Sequence, residues 1–151
     1  MTNKELIERY PFLRPRNRFT DELIEDADYT ELDDMPEGWR NAFGEQMCEE
    51  IREELIKHNY LDEYRIIQIK EKYGMLCWYD AGSPVDSNVY DIISKYEDIS
   101  RRICILCGRP ATKVSRGWIC PYCDCVDTNK LLEGAIFTPI NVYFKEIEEY
   151  D

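Results

Sequence analysis

The sequence predicts an α+β fold: amphipathic helices packed on a β-hairpin or small antiparallel sheet, followed by a C-terminal zinc-ribbon-like subdomain. Three observations predict it. Apolar residues recur every four positions at Trp39, Phe43, Met47, Ile51 and Leu55. An isoleucine-rich run and an aromatic run flank the turn-like Glu71-Lys72-Tyr73-Gly74. Cysteines stand in two Cys-x-x-Cys pairs, Cys104/Cys107 and Cys120/Cys123, with twelve residues between them.

Taken in chain order, residues 2–9 read as a short helix ended by Pro11, and Tyr10 to Arg18 as irregular, with Pro11, Pro15 and arginines at 14, 16 and 18. Thr20 is placed to cap a short helix to about Ala27, since Asp21, Glu22 and Leu23 follow it. Tyr29 to Met35 reads as acidic loop. Pro36 suits a first helical position, where its missing N–H costs nothing. The apolar stripe then runs to about His58, widened by Ala42, Cys48 and Ile56, while Glu45, Glu49, Glu50, Glu53 and Glu54 form a solvated opposite face.

Tyr64–Lys70 and Met75–Tyr79 read as the two strands of the hairpin, and Ala81-Gly82-Ser83-Pro84 breaks the second. Ser87 caps a second amphipathic helix carrying Val89, Ile92, Ile93, Tyr96, Ile99 and Ile103 on one face. That helix runs directly into Cys104 and so docks the cysteine segment on the core. Trp118 and Ile119 read as strand residues beside the site. The tail reads as a short helix over 128–133 and a strand over Ile140–Phe144, packing back on the core. The resulting organisation is an acidic helix and hairpin core over 1–103, a zinc-ribbon-like segment over 104–125 and a tail over 126–151.

The cysteine pattern carries the clearest chemistry. Each Cys-x-x-Cys turn aims two sulfurs at one point, and two such turns make a closed tetrahedral site for structural Zn²⁺. Gly108 follows the first pair, where the turn calls for a left-handed residue. Cys104, Cys107, Cys120 and Cys123 are the expected ligands, with Cys125 the alternative to Cys120. Cys120-Pro-Tyr-Cys123 also has the form of a redox pair, but it lies late in the chain beside a second pair that shares its metal. Cys48 and Cys77 read as small core residues. His58 is the only histidine, which leaves no His-based triad or His-rich metal site. No phosphate-binding glycine loop and no recurring carboxylate spacing point to catalysis. A hidden carboxylate enzyme is the third and weakest reading.

Charge divides the chain. Net charge is −12, and residues 21–63 hold sixteen acids against Arg40, Arg52 and Lys57. Such a surface repels nucleic acid and suits a basic protein surface. The segment 104–125 is mildly basic through Arg109, Lys113 and Arg116, set against Asp124. Of Trp39, Tyr64, Tyr73, Trp78, Tyr79 and Trp118, about half are expected in the core and the rest as exposed anchors. Hydrophobic residues make up 44% of the chain, enough for a folded core. No apolar run is long enough to cross a bilayer and no signal-like N-terminus is present, so a cytoplasmic location is expected.

Ile69-Lys70-Glu71-Lys72-Tyr73-Gly74-Met75-Leu76 with Trp78-Tyr79, then Ile99-Ser100-Arg101-Arg102, then Cys104-x-x-Cys107-Gly108-Arg109-Pro110-Ala111, and Gly117-Trp118-Ile119 before Pro121-Tyr122-Cys123 form a combined pattern. Over about residues 36–125 it resembles a group of small uncharacterised proteins from bacteria and their phages. In that pattern the last metal ligand falls three residues after the position of Cys123, where this chain has Val126. The resemblance implies a zinc-binding accessory protein of phage or prophage type. The expectation is therefore a non-enzymatic, zinc-stabilised protein that binds a host protein, for example as an inhibitor of a defence factor. Glu49, Glu50, Glu53 and Glu54 are the expected contact residues. The alternative is a nucleic-acid or nucleotide-ligand binder using Arg109, Lys113 and Arg116.

Overall fold

The computed structural model describes residues 1–125, 130 and 133–150. It is a mixed helix and sheet fold with two small antiparallel sheets. The chain opens with α1 (Asn3–Arg9), capped by Thr2, whose side chain and that of Glu5 bond each other's backbone in a capping box. A 3-10 turn over Pro11–Leu13 follows. The expected helix from Thr20 to Ala27 does not form. Those residues belong to a loop closed by an Arg16–Leu23 bridge and by Asn17 Oδ1, which accepts from the amides of Phe19 and Thr20. Asp21 takes a positive φ of 61, and the Ile24 amide, which the helix would pair with Thr20 O, donates to Pro15 O instead. A second capping box, Thr30 with Asp33, turns part of the expected acidic loop into a 3-10 helix over Glu31–Asp34.

The long helix is continuous but not uniform. It passes from α2 (Glu37–Trp39) through a π-helical segment (Arg40–Gly44) into α3 (Glu45–Lys57). A stripe of apolar residues spaced by four drifts about 40° per step around a helix of 3.6 residues per turn. The wider π turn takes up that drift. Trp39, Phe43, Met47, Ile51 and Leu55 consequently all face the core, and all are buried.

Strands β1 (Ile66–Lys72) and β2 (Met75–Asp80) form the expected hairpin, two residues further along than the sequence places its first strand. Helix α4 (Val89–Ser100) covers it, starting after Asn88 rather than Ser87, whose hydroxyl donates to Pro84 O instead. Two side chains of α4 accept from the outer edge of β2: Ser100 Oγ from the amide of Leu76 at 2.9 Å, and Glu97 Oε2 from that of Trp78 at 3.0 Å. One contiguous core joins α1, α3, α4 and the hairpin, with Trp39, Tyr64 and Trp78 in its interior.

The second sheet has the order β4 (Pro121–Tyr122), β3 (Lys113–Ser115), β5 (Phe137–Pro139). The expected C-terminal strand at Ile140–Phe144 is instead the start of α5 (Ile140–Tyr150), which packs on β3 and β5. Its buried Phe144 lies 3.9 Å under the guanidinium of Arg102, just past the end of α4. The expected helix over 128–133 lies largely outside the described residues.

Candidate metal centre

The segment after α4 is built as a tight knuckle. Cys104 N donates to Arg109 O at 2.7 Å, and Gly108 N donates to Cys104 O at 3.0 Å. Gly108 has φ +81, the left-handed conformation expected for it. The second arm returns through β4, where the Ile105 amide donates to Pro121 O and the Thr112 amide to Tyr122 O. This pairing brings the Cys123 sulfur over the first knuckle.

The sulfurs of Cys104, Cys107 and Cys123 all lie within 4.8 Å of one another, and those of Cys107 and Cys123 are 3.2 Å apart. Three such sulfurs can hold a metal ion. Cys104 is wholly buried, Cys123 nearly so and Cys107 partly exposed. Burial pushes the Cys104 thiol up, but the backbone amides of Cys107, Leu106 and Cys123 donate to it and hold it below its ordinary value. Burial and the neighbouring sulfurs push the Cys107 thiol up to about 12. Crowded sulfurs ionise together only when a cation shares their charge, which is the behaviour of a thiolate metal site.

Cys120 is the expected ligand that this group does not include. Its sulfur points to the hairpin, 3.5 Å from Glu71 Oε1. Burial and that carboxylate push its thiol up to about 12. Cys125 instead packs, half-buried, against the cluster of Cys104, Cys120, Tyr122 and Cys123.

The knuckle is seated on the core at a place no sequence motif marks. A Cβ at Gly38 would stand 2.3 Å from Cys104 O, and one at Gly108 would stand 2.6 Å from Gly38 O. Gly38 N donates to Ile105 O at 2.9 Å, and the buried Trp39 indole donates to Ile103 O at 3.0 Å. The first turn of the long helix and the knuckle thus meet backbone to backbone. The hairpin tip touches the same unit: a Cβ at Gly74 would lie 3.1 Å from Ile119 O. Trp118, expected beside the site, is 78% exposed while its indole still reaches the Cys120 sulfur; Ser115 Oγ closes the turn that carries it by donating to Trp118 O and accepting from Cys120 N.

Comparison with known protein families, with curated proteins and with solved structures returned no match.

The glutamates expected to contact a partner are mostly spent inside the chain. Glu49 pairs with Arg9 at 2.5 Å and accepts from Tyr10 Oη. Glu50 pairs with Lys95 at 2.6 Å and also accepts from Tyr96 Oη. Glu54 is only 6% exposed; it accepts from Asn88 N at 2.9 Å and lies 3.2 Å from His58 Nε2. Glu53 alone of the four is exposed. Three of the five glutamates of the expected solvated face are therefore clamps to α1 and α4, while Glu45 and Glu53 are exposed as expected, and a charge pattern in sequence does not distinguish the two. Of the basic residues, Lys113 lies 3.6 Å from Asp124 and 4.6 Å from the Phe137 ring centroid. Arg116 Nε donates to Thr138 Oγ1 at 2.8 Å, and Arg109 is exposed at the knuckle.

Proposed function

We propose that the protein is a non-catalytic binding module, stapled by one structural Zn²⁺, that engages a basic protein through an acidic loop. Cys104, Cys107 and Cys123 would supply three thiolates and Cys125 the fourth, leaving no coordination position for substrate. The metal would lock the knuckle, the helix start and the hairpin tip into one rigid support.

The observation that carries the partner reading is the loop between Asn17 and Tyr29. Residues 19–29 contain Asp21, Glu22, Glu25, Asp26 and Asp28 and no base, and all five residues are exposed, with Asp21 tied to Arg65 by an ion pair and the other four carrying the acidic field. At the tip Phe19 is 99% exposed, and Leu23, Ile24 and Tyr29 are exposed around the acids. The tip is not loose. Asn17 N donates to Glu22 O at 2.8 Å, Asp21 N to Asn17 O at 2.7 Å and Ile24 N to Pro15 O at 3.0 Å. A preorganised aromatic anchor within a field of carboxylates suits an apolar pocket rimmed by Lys or Arg. Blocking a basic surface of a host factor, a natural role for an acidic accessory protein of phage type, is consistent with that chemistry.

The test is affinity capture from bacterial lysate with the wild type and with Phe19→Ala and Glu22→Lys/Glu25→Lys variants. A basic protein held by the wild type and released by both variants is the expected result. Equal capture by all three would reject the loop as the contact. No capture of any protein by the wild type would reject the binding role itself.

A further inference from the structure

Tyr73 and Gly74 are the two residues of the hairpin turn, because Lys72 pairs with Met75 across it. Both have positive φ, +52 and +77. A turn of this kind suits Asn-Gly, and an aromatic residue in its first position is held there against steric preference. Tyr73 gains no burial in exchange, since its side chain is 76% exposed. Backbone strain at an exposed aromatic residue marks a position kept for something other than folding.

Gly74 abuts Ile119, the residue after Trp118, and Cys120 Sγ reaches Glu71 Oε1 at 3.5 Å. Two turns from the two halves of the molecule are thereby fixed side by side, and each presents one largely exposed aromatic ring. Cations accompany the rings. Lys72 Nζ lies 5.9 Å from the Tyr73 centroid, Lys70 Nζ lies 5.6 Å from that of Tyr79, and Arg116 is exposed two residues before Trp118. The intervening carboxylate, Glu71, turns inward and accepts from Gly74 N at 3.0 Å.

We propose that Tyr73 and Trp118, flanked by Lys72 and Arg116, form a stacking platform for single-stranded nucleic acid. Unpaired bases lie on aromatic faces, and neighbouring cations meet the phosphates that follow them. The acidic remainder of the chain repels a long polyanion, so the contact is confined to a short unpaired stretch and excludes duplex. This platform is independent of the acidic loop.

The test is a tryptophan-fluorescence titration with a short oligothymidylate at low ionic strength. Binding with quenched emission is expected in the wild type. Tyr73→Asn should weaken it by about tenfold, in line with the loss of one stacked base, and Trp118→Ala, which removes the exposed reporter, should weaken binding of a dye-labelled oligothymidylate, read by anisotropy, by a similar factor. Tyr73→Asn should at the same time raise the melting temperature, because asparagine suits the turn, so its lost binding cannot come from misfolding. Phe19→Ala should bind the oligonucleotide as the wild type does. Absence of wild-type binding at low salt, or unchanged affinity in Tyr73→Asn, would overturn the proposal. Loss of a protein partner in Tyr73→Asn, without oligonucleotide binding by the wild type, would reassign the two rings to a protein interface and overturn it equally.

Discussion

Gly38 and Cys104 meet at their backbones: any side chain on the first would enter the space of the second's carbonyl, 2.3 Å from a Cβ position. Glycine inside a helix ordinarily weakens it by about 1 kcal/mol relative to alanine. Here the preference reverses. Gly38→Ala should destabilise the protein by about 1–3 kcal/mol, the usual cost of overfilling a packed interior. It should also loosen metal binding, since the clash falls on the knuckle. Urea unfolding and competition with a chromogenic chelator measure the two effects. A stabilised Gly38→Ala protein would contradict the seating described.

The cysteines separate by variant. Serine at Cys104, Cys107, Cys123 or Cys125 should lower bound metal from about one ion per chain towards none, the stoichiometry of a single four-ligand site. Cys120→Ser should keep its metal, because that sulfur faces Glu71. Elemental analysis after gel filtration decides it. Metal lost from Cys120→Ser and kept by Cys125→Ser would reverse the assignment.

Chelation should release more than the knuckle. The cysteine unit touches the first turn of the long helix through Gly38 and the hairpin tip through Gly74. Hydrogen exchange after chelator treatment should therefore rise around Glu37–Trp39 and Tyr73–Gly74 as well as over 104–125, while Ile51 and Leu55, deep in the main core, stay protected. Exchange confined to the cysteine segment would show that the two contacts are not coupled to the metal.

Glu54 ties the middle of the fold together. It is buried and accepts from the Asn88 amide at the start of α4. Glu54→Ala leaves that amide without its partner and should cost about 1–3 kcal/mol. Glu53→Ala, one position away on the exposed face, should change stability by less than about 0.5 kcal/mol. Equal effects from the two would remove Glu54 from this role.

The same carboxylates set the response to acid. The Asn88 amide holds Glu54 below its ordinary 4.5, and the Arg9 guanidinium holds Glu49 below it. Their stabilisation is complete above the ordinary carboxylate range and is lost as pH falls through the depressed folded values. Burial pushes Glu97 the other way, so its folded form holds the proton more tightly and its contribution weakens as pH rises. Urea midpoints should accordingly fall on acidification below about pH 4.5, the ordinary glutamate value. The fall should be shallower in Glu49→Gln, and Glu97→Gln should lose the stability that the wild type gains through Glu97 as pH drops towards 4.5 from above. Profiles unchanged from the wild type in both variants would contradict these environments.

Much of the fold was legible from periodicity. The stripe from Trp39 to Leu55 and the runs on either side of Tyr73-Gly74 each express a local rule and form their elements, and three of the four paired cysteines converge. The misreadings share a physical cause. Ile140–Phe144 is a short apolar run, which satisfies strand and helix patterns equally, and packing against β3 and β5 selects the helix. Thr20–Ala27 has a helix-capping pattern, but Asp21 sits at positive φ and the Ile24 amide donates to the distant Pro15 O. Spacing alone makes Cys120 equivalent to Cys104, whereas the path of the chain into β4 decides which sulfurs converge. The seat at Gly38 and the burial of Glu54 are contacts between distant parts of the chain, and no local pattern encodes them.

The outer edge of β2 offers no open ladder. Ser100 and Glu97 already occupy the amides of Leu76 and Trp78 that an incoming strand would need. The hairpin therefore cannot grow on that side by recruiting a second chain, and swapped dimers or fibrils cannot nucleate there while α4 is in place. Crowded or newly made copies are guarded against sticking to one another by two side chains of a neighbouring helix.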